Sequence, residues 1–134
     1  MVKTKKNATA KQLAIEAARI AHDRHGTEIV VLDLHGISPV TDYFVIATGT
    51  SDRQMAAVAD EIAHWGAQRG QRVHHIEGRE DPHWILLDFV DVVVHLFDET
   101  HRHYYDLELI WGDAPKVRWK RRTPTPTETP GAST

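Results

Sequence analysis

The stretch that most constrains this chain is residues 84–97, Trp84-Ile-Leu-Leu-Asp-Phe-Val-Asp-Val-Val-Val-His-Leu-Phe97. It is the most apolar part of the sequence and is rich in β-branched residues. Two short runs, 84–87 and 92–97, flank Asp88-Phe-Val-Asp91. Acidic turn residues between runs of strong strand propensity predict a tight β-hairpin. Neither run alternates cleanly, so both faces are expected to be covered, which favours the centre of an α/β sheet over the skin of a sandwich. A single buried helix would place Asp88 and Asp91 in an apolar environment at considerable cost.

The 134 residues suit one domain with a real core. The absence of cysteine excludes disulfides, thiol nucleophiles and thiolate metal sites. The basic start lacks the apolar run of a secretory signal, and no stretch approaches the roughly 18 apolar residues of a membrane helix. The formal net charge is −3. Basic residues gather at both ends: Lys3, Lys5, Lys6 and Lys11, then Lys116, Arg118, Lys120, Arg121 and Arg122. An acidic body with basic ends argues against a dedicated DNA-binding face and suits docking on a basic protein. The ten histidines would make such docking sensitive to pH.

Around the hairpin, a mobile lead-in is expected over 1–8. A helix follows over 9–23, with Thr9 as N-cap and Gly26 as the residue that closes it. Strands are expected at 28–34 and 41–47, separated by a loop that Pro39 enforces. A second helix starts from Thr50 or Ser51. A polar edge strand follows over 71–76. A third helix spans 98–111, where Tyr104, Leu107 and Trp111 share one face and Tyr105, Glu108 and Leu109 lie on the next. The domain is placed at 9–112, with a basic and then Thr/Pro-rich disordered tail over 113–134.

Catalytic constellations are thin. Gly49-Thr-Ser51 lies between a strand and a helix, where an anion can bind, but the Gly-rich spacing is incomplete and no P-loop lysine follows. Helix capping explains the same residues. His74 and His75 point to opposite sides of a strand, and His101 and His103 diverge on a helix. His83 and His95 complete the histidines that invite a metal, yet no HExxH pattern occurs, so no metal or cofactor is expected. Asp33, Asp42, Asp88 and Asp91 read as turn formers. No G-x-S-x-G elbow is present. The chain is therefore not expected to be an enzyme; the alternative is a nucleotidyltransferase-like or phosphate-binding enzyme, which would need a convergent acidic pair beside Gly49. The stronger signal is aromatic: Trp84, Phe89, Tyr104, Tyr105 and Trp111 include rings that core packing need not consume. Such rings beside Arg102 and acids suit a protein-binding surface.

Four ordered blocks carry a resemblance. They are Thr41-Asp-Tyr-Phe-Val-Ile-x-Thr-Gly-Thr-Ser51, Glu77-Gly78, Trp84-Ile-x-x-Asp-Phe-x-Asp-Val-Val-Val-His95 and Arg102-x-x-Tyr-x-Leu-Glu-x-x-Trp111. Over about residues 10–111 the chain resembles the ribosomal silencing factor family, RsfS or Iojap-like. The resemblance implies a mixed, about five-stranded sheet flanked by helices, like a nucleotidyltransferase fold without its catalytic residues. It implies a cytoplasmic factor, homodimeric when free, that binds ribosomal protein uL14 on the large subunit. There it blocks subunit joining and represses translation under nutrient limitation. The uL14 contact would use Trp84, Asp88, Phe89, Arg102, Tyr105 and Glu108. The family often has Gly where Val90 stands; a β-branched residue suits positive φ poorly, so another turn type is expected. The basic residues at 116–122 are read as a solubilising tail, with marginal contact to ribosomal RNA as the second possibility.

Overall fold

A computed structural model describes residues 7–104 and 112–121. The elements run α1 (Ala10–Asp23), β1 (Thr27–Asp33), β2 (Tyr43–Thr48), α2 (Asp52–Ala67), β3 (His75–Glu77), β4 (Trp84–Asp88), β5 (Val92–Phe97) and α3 (Glu99–Tyr104). The five strands form one mixed sheet in the order β1-β2-β5-β4-β3. The β2–β5 pair is parallel and the other three are antiparallel. The parallel pair needs a crossover, which the segment carrying α2 supplies. As expected of the most apolar stretch, β5 lies at the centre, and the polar β3 lies at an edge.

Both long helices cover one face of the sheet. Leu13, Ala14, Ala17, Ala18 and Ala21 of α1 join Met55, Val58, Ala59 and Ile62 of α2. They pack on Val31, Tyr43, Val45, Ala47, Ile85, Leu87, Val92, Val94 and Leu96. These strand residues occur at every second position, as a pleated strand requires. Thr9 caps α1 with a capping box, its side chain accepting from Gln12 N–H at 3.1 Å. Ser51 caps α2, accepting from Gln54 N–H at 3.1 Å.

Several local expectations are corrected. The residue that turns the chain out of α1 is His25, with φ 70, rather than Gly26. Gly26 is needed for close approach instead: a Cβ there would lie 2.8 Å from the Ala21 carbonyl oxygen. The edge strand begins at His75, not at 71, because Gln71 is tied to Gly66 O by its N–H and to Ala8 O by its side chain. Ala8 is itself buried and bonds through its N–H to Arg69 O, so Asn7 and Ala8 are not a free lead-in. Of the helix expected over 98–111, Glu99–Tyr104 is described and residues 105–111 lie outside the described residues.

The largest correction concerns residues 113–121, read from the sequence as the start of a tail. They run alongside β1 as a strap. Asp33 N–H donates to Pro115 O at 2.8 Å, Val117 N–H donates to Val31 O at 2.8 Å, and Leu32 bridges to Lys116. Ala114 is buried, while Val117 and Trp119 pack against the helical core. Arg19 Nε donates to Trp119 O at 2.8 Å, and Arg121 forms a two-pronged pair with Asp23, both contacts at 3.0 Å. The strap caps the exposed edge of β1, which would otherwise present unpaired backbone groups. Composition hides this, because the basic residues read as solvated while Val117 and Trp119 between them alternate inward. Residues 122–134 lie outside the described residues.

Candidate functional site: the second face of the sheet

The face of the sheet opposite α1 and α2 is only partly covered. Pairing across the strands sets its residues in rows. Leu32, Phe44, Val93 and Asp88 form one row; Val30, Ile46, His95 and Leu86 form the next; Thr48, Phe97 and Trp84 form the third. Leu32, Ile46, His95 and Phe97 are buried, whereas Val30, Phe44, Trp84, Leu86, Asp88 and Val93 are half-buried. The burial of β4 alternates residue by residue. The expectation that both faces are covered holds for β5, where His95, Leu96 and Phe97 are all buried, and only in part for β4, whose Trp84, Leu86 and Asp88 are half-buried.

An aromatic cluster organises that surface. Trp84 stacks on Phe97 with centroids 5.0 Å apart, and its Nε1–H donates to His95 Nδ1 at 3.1 Å. Phe44 meets the His95 ring edge-on at 4.6 Å. Because Nδ1 accepts, the imidazole proton is assigned to Nε2 and the ring is neutral. Burial pushes the His95 pKa down to about 4. A neutral imidazole thus fills the middle of the face as part of the packing.

The residues expected to meet a partner separate into three groups. Trp84 and Asp88 do share this face, four positions apart on β4. Asp88 also shapes the hairpin, since its Oδ1 accepts from Val90 N–H at 2.7 Å. Phe89 does not meet solvent: it is 5% exposed and belongs to the helical core, where a methyl on Gly66 would come within 3.2 Å of its ring. The period of two that points Asp88 to the open face sends Phe89 to the closed one. Arg102 is also buried, at 5% exposure, and its Nη1 donates to Thr48 Oγ1 at 2.9 Å. Thr48 Oγ1 in turn donates to Glu28 Oε1 at 3.0 Å. Arg102 therefore fastens α3 to the sheet, and the expectation that it reaches outward is corrected. Tyr105 and Glu108 lie outside the described residues. Leu86, Val93 and Phe44 also lie half-buried on this face, and nothing local in the sequence distinguishes them from core.

Val90 takes φ 77 despite its branched Cβ. Asp91 N–H donates to Phe89 O across it at 3.0 Å, the pattern of the rare, strained, positive-φ γ-turn. The expectation that a β-branched residue avoids positive φ at this position is corrected.

Beside the Gly49 turn, a shallow cleft is lined by Thr48, Thr50, Asp52, Asp98 and Glu99. The turn's amides are already engaged: Gly49 N–H with Phe97 O at 2.7 Å, Thr50 N–H with Gln54 Oε1 at 3.0 Å. Asp98 is held by His83 and His101, and Asp52 and Glu99 each lie in the first turn of a helix, where negative charge is favourable. This is capping chemistry.

The family model described as "Ribosomal silencing factor during starvation" matches residues 7–134. This chain belongs to the ribosomal silencing factor family, RsfS. The RsfS of Bacillus subtilis is 46% identical over 99 residues, covering 74% of this chain and 84% of that protein. The RsfS of Halalkalibacterium halodurans is 40% identical over 111 residues, covering 83% and 92%. The chloroplastic Iojap protein of Zea mays is 32% identical over 111 residues, 83% of this chain and 48% of that longer protein. Among solved structures, a Chromobacterium violaceum protein superposes with a TM-score of 0.74 at 29% identity, covering 90% of this chain and 100% of that one. One from Bacillus halodurans gives 0.66 at 37% identity, covering 81% and 95%. The RsfS match extends through the strap, in keeping with its place in the fold. The family's role is regulatory, that of a ribosomal silencing factor. Among the described residues no helix is long and apolar enough to cross a membrane.

Proposed function

We propose that this RsfS chain silences the large ribosomal subunit in the cytoplasm by seating the half-open face of its sheet on ribosomal protein uL14. A protein in that position occupies space the small subunit needs, so subunit joining fails without any covalent step. The observation that carries this reading is the face itself: Trp84, Leu86, Val93 and Phe44 form a continuous half-buried apolar surface with Asp88 at its margin. An aromatic anchor within a flat apolar patch, edged by charge, is the make-up of an interface centre. Glu77, paired with Leu86 across the sheet, adds a second acid that suits a basic ribosomal protein. Tyr105 and Glu108 remain proposed contacts, whereas the buried Phe89 and Arg102 are left out of the proposed contact set. In the absence of ribosomes the same surface would serve a second copy, giving a homodimer.

The test is titration against purified uL14. Leu86→Lys and Val93→Lys place a cation beside Glu77 and Asp88, where the fold tolerates it, and turn the surface against a basic partner. Each should weaken binding by about 2 kcal/mol, roughly thirtyfold in dissociation constant, if these residues lie at the interface centre. Wild-type affinity in both folded variants would contradict the proposed face.

A further inference from the structure

We propose that His83, Asp98 and His101 form a binding site for a divalent transition metal, with Zn2+ the ion that best fits the donor set. The three residues are separated by 15 and 3 positions in the chain, a spacing that matches no metal motif; pairing of the strands brings them together. Trp84 and Phe97 are opposite one another at the end of the β4–β5 ladder. One step beyond, Asp98 N–H donates to His83 O at 3.0 Å, so the two side chains emerge together. Asp98 then caps α3, its Oδ1 accepting from His101 N–H at 2.7 Å, which returns His101 to the same side.

The result is one carboxylate between two imidazoles. His83 Nδ1 lies 2.8 Å from Asp98 Oδ2, and His101 Nδ1 lies 2.8 Å from Asp98 Oδ1. The two rings stack at 4.8 Å with an interplanar angle of 20°. Among the described residues this is the group of three His, Asp or Glu side chains whose ligand atoms all lie within 4.8 Å of one another. Two ligands of one tetrahedral zinc, each about 2.0–2.1 Å from the ion, are roughly 3.3 Å apart, so small side-chain rotations complete the geometry. Two imidazole nitrogens and a carboxylate oxygen suit zinc better than magnesium or calcium, which prefer oxygen alone. Asp81 Oδ1 lies 3.6 Å from Nε2 of His83, the other ring nitrogen, which is beyond hydrogen-bond distance. His83 is exposed and the other two are half-buried, so an ion has a path in. A bound ion would join the start of β4, the end of β5 and the first turn of α3. This site is independent of the uL14 reading and lies at the margin of the face rather than on it.

The experiment is calorimetric titration of the tag-free full-length chain with Zn2+, with Co2+ as a spectroscopic probe. The expected result is one saturable equivalent per chain, visible ligand-field bands with Co2+, and a rise in Tm on zinc addition. Asp98→Asn keeps the helix-capping oxygen and removes the charged ligand. His83→Gln lies outside every helix and strand, so it provides a folded variant should Asp98→Asn misfold. Each should weaken binding by about tenfold or more and abolish the cobalt bands. No saturable binding by the wild type would overturn the proposal. Undiminished binding in the folded variants would overturn it too, by assigning the ion to others of the ten histidines.

Discussion

At Val90 a single side chain works against its own backbone. A positive φ of 77 in a β-branched residue stores on the order of 1–3 kcal/mol. Val90→Gly removes that strain at the expense of unfolded-state entropy, so a net gain of about 1 kcal/mol in chemical denaturation is expected. Phe89, one residue earlier, behaves in the opposite way. Its ring fills space beneath the end of α2, and Phe89→Ala should cost about 3–5 kcal/mol of folding free energy, read from the same denaturation curves. A purely interfacial Phe89 would leave stability unchanged. His95 adds a dependence on pH. Burial holds its folded pKa at about 4, whereas the unfolded imidazole takes up a proton near 6.5. Between those values the unfolded chain binds more protons, so stability present above pH 6.5 is lost as pH falls towards 4, by roughly 3 kcal/mol at most. The exposed His35 and His83, raised by hydrogen bonds to Asp33 and Asp98, act in the opposite sense. Comparing wild type with His95→Gln across pH 7.5 to 4.5 isolates the buried ring, and the variant's stability should decline less steeply.

At the level of elements, propensity and periodicity made most of the fold legible: α1 with Thr9, α2 with Ser51, the 84–97 hairpin at the sheet centre and a polar edge strand all follow from local chemistry. The strap was not legible, because its partners, Val31, Asp33, Arg19 and Asp23, lie roughly 80 to 100 residues away in the chain. Charge in Arg118, Lys120 and Arg121 reads as a solvated tail until Asp23 and the edge of β1 are known to be adjacent. Arg121 holds the Asp23 carboxyl below its ordinary pKa, chiefly through the side-chain hydrogen bond. Both groups are half exposed, so solvent screens that pair and most of the strap's contribution comes from Val117, Trp119 and the covered strand edge. Ending the chain at Gly112 should therefore lower Tm by several degrees, measured by thermal denaturation; an unchanged Tm would mean the strap adds nothing.

Among the described residues the molecule is asymmetric: α1 and α2 cover one sheet face, and the other is only partly covered. That asymmetry explains why the candidate site was only half legible. Sequence reasoning names Trp84 and Asp88, which lie on that half-open face, but it judges exposure by position in a turn or on a helix. It therefore placed Phe89 and Arg102 outside, when strand alternation turns one inward and the Thr48 hydroxyl draws the other in. Leu86 and Val93 read as ordinary core because nothing local tells which sheet face the two long helices cover. The RsfS membership gives that open face a regulatory setting, and the proposed steric mechanism makes it the active surface. The most direct measurement is subunit joining followed by light scattering, with large subunits preincubated with this protein before small subunits are added. The wild type should suppress joining in proportion to its occupancy of the large subunit, while a folded Leu86→Lys, Val93→Lys double variant should allow joining at the rate seen without the protein. Full suppression by that double variant would contradict the account.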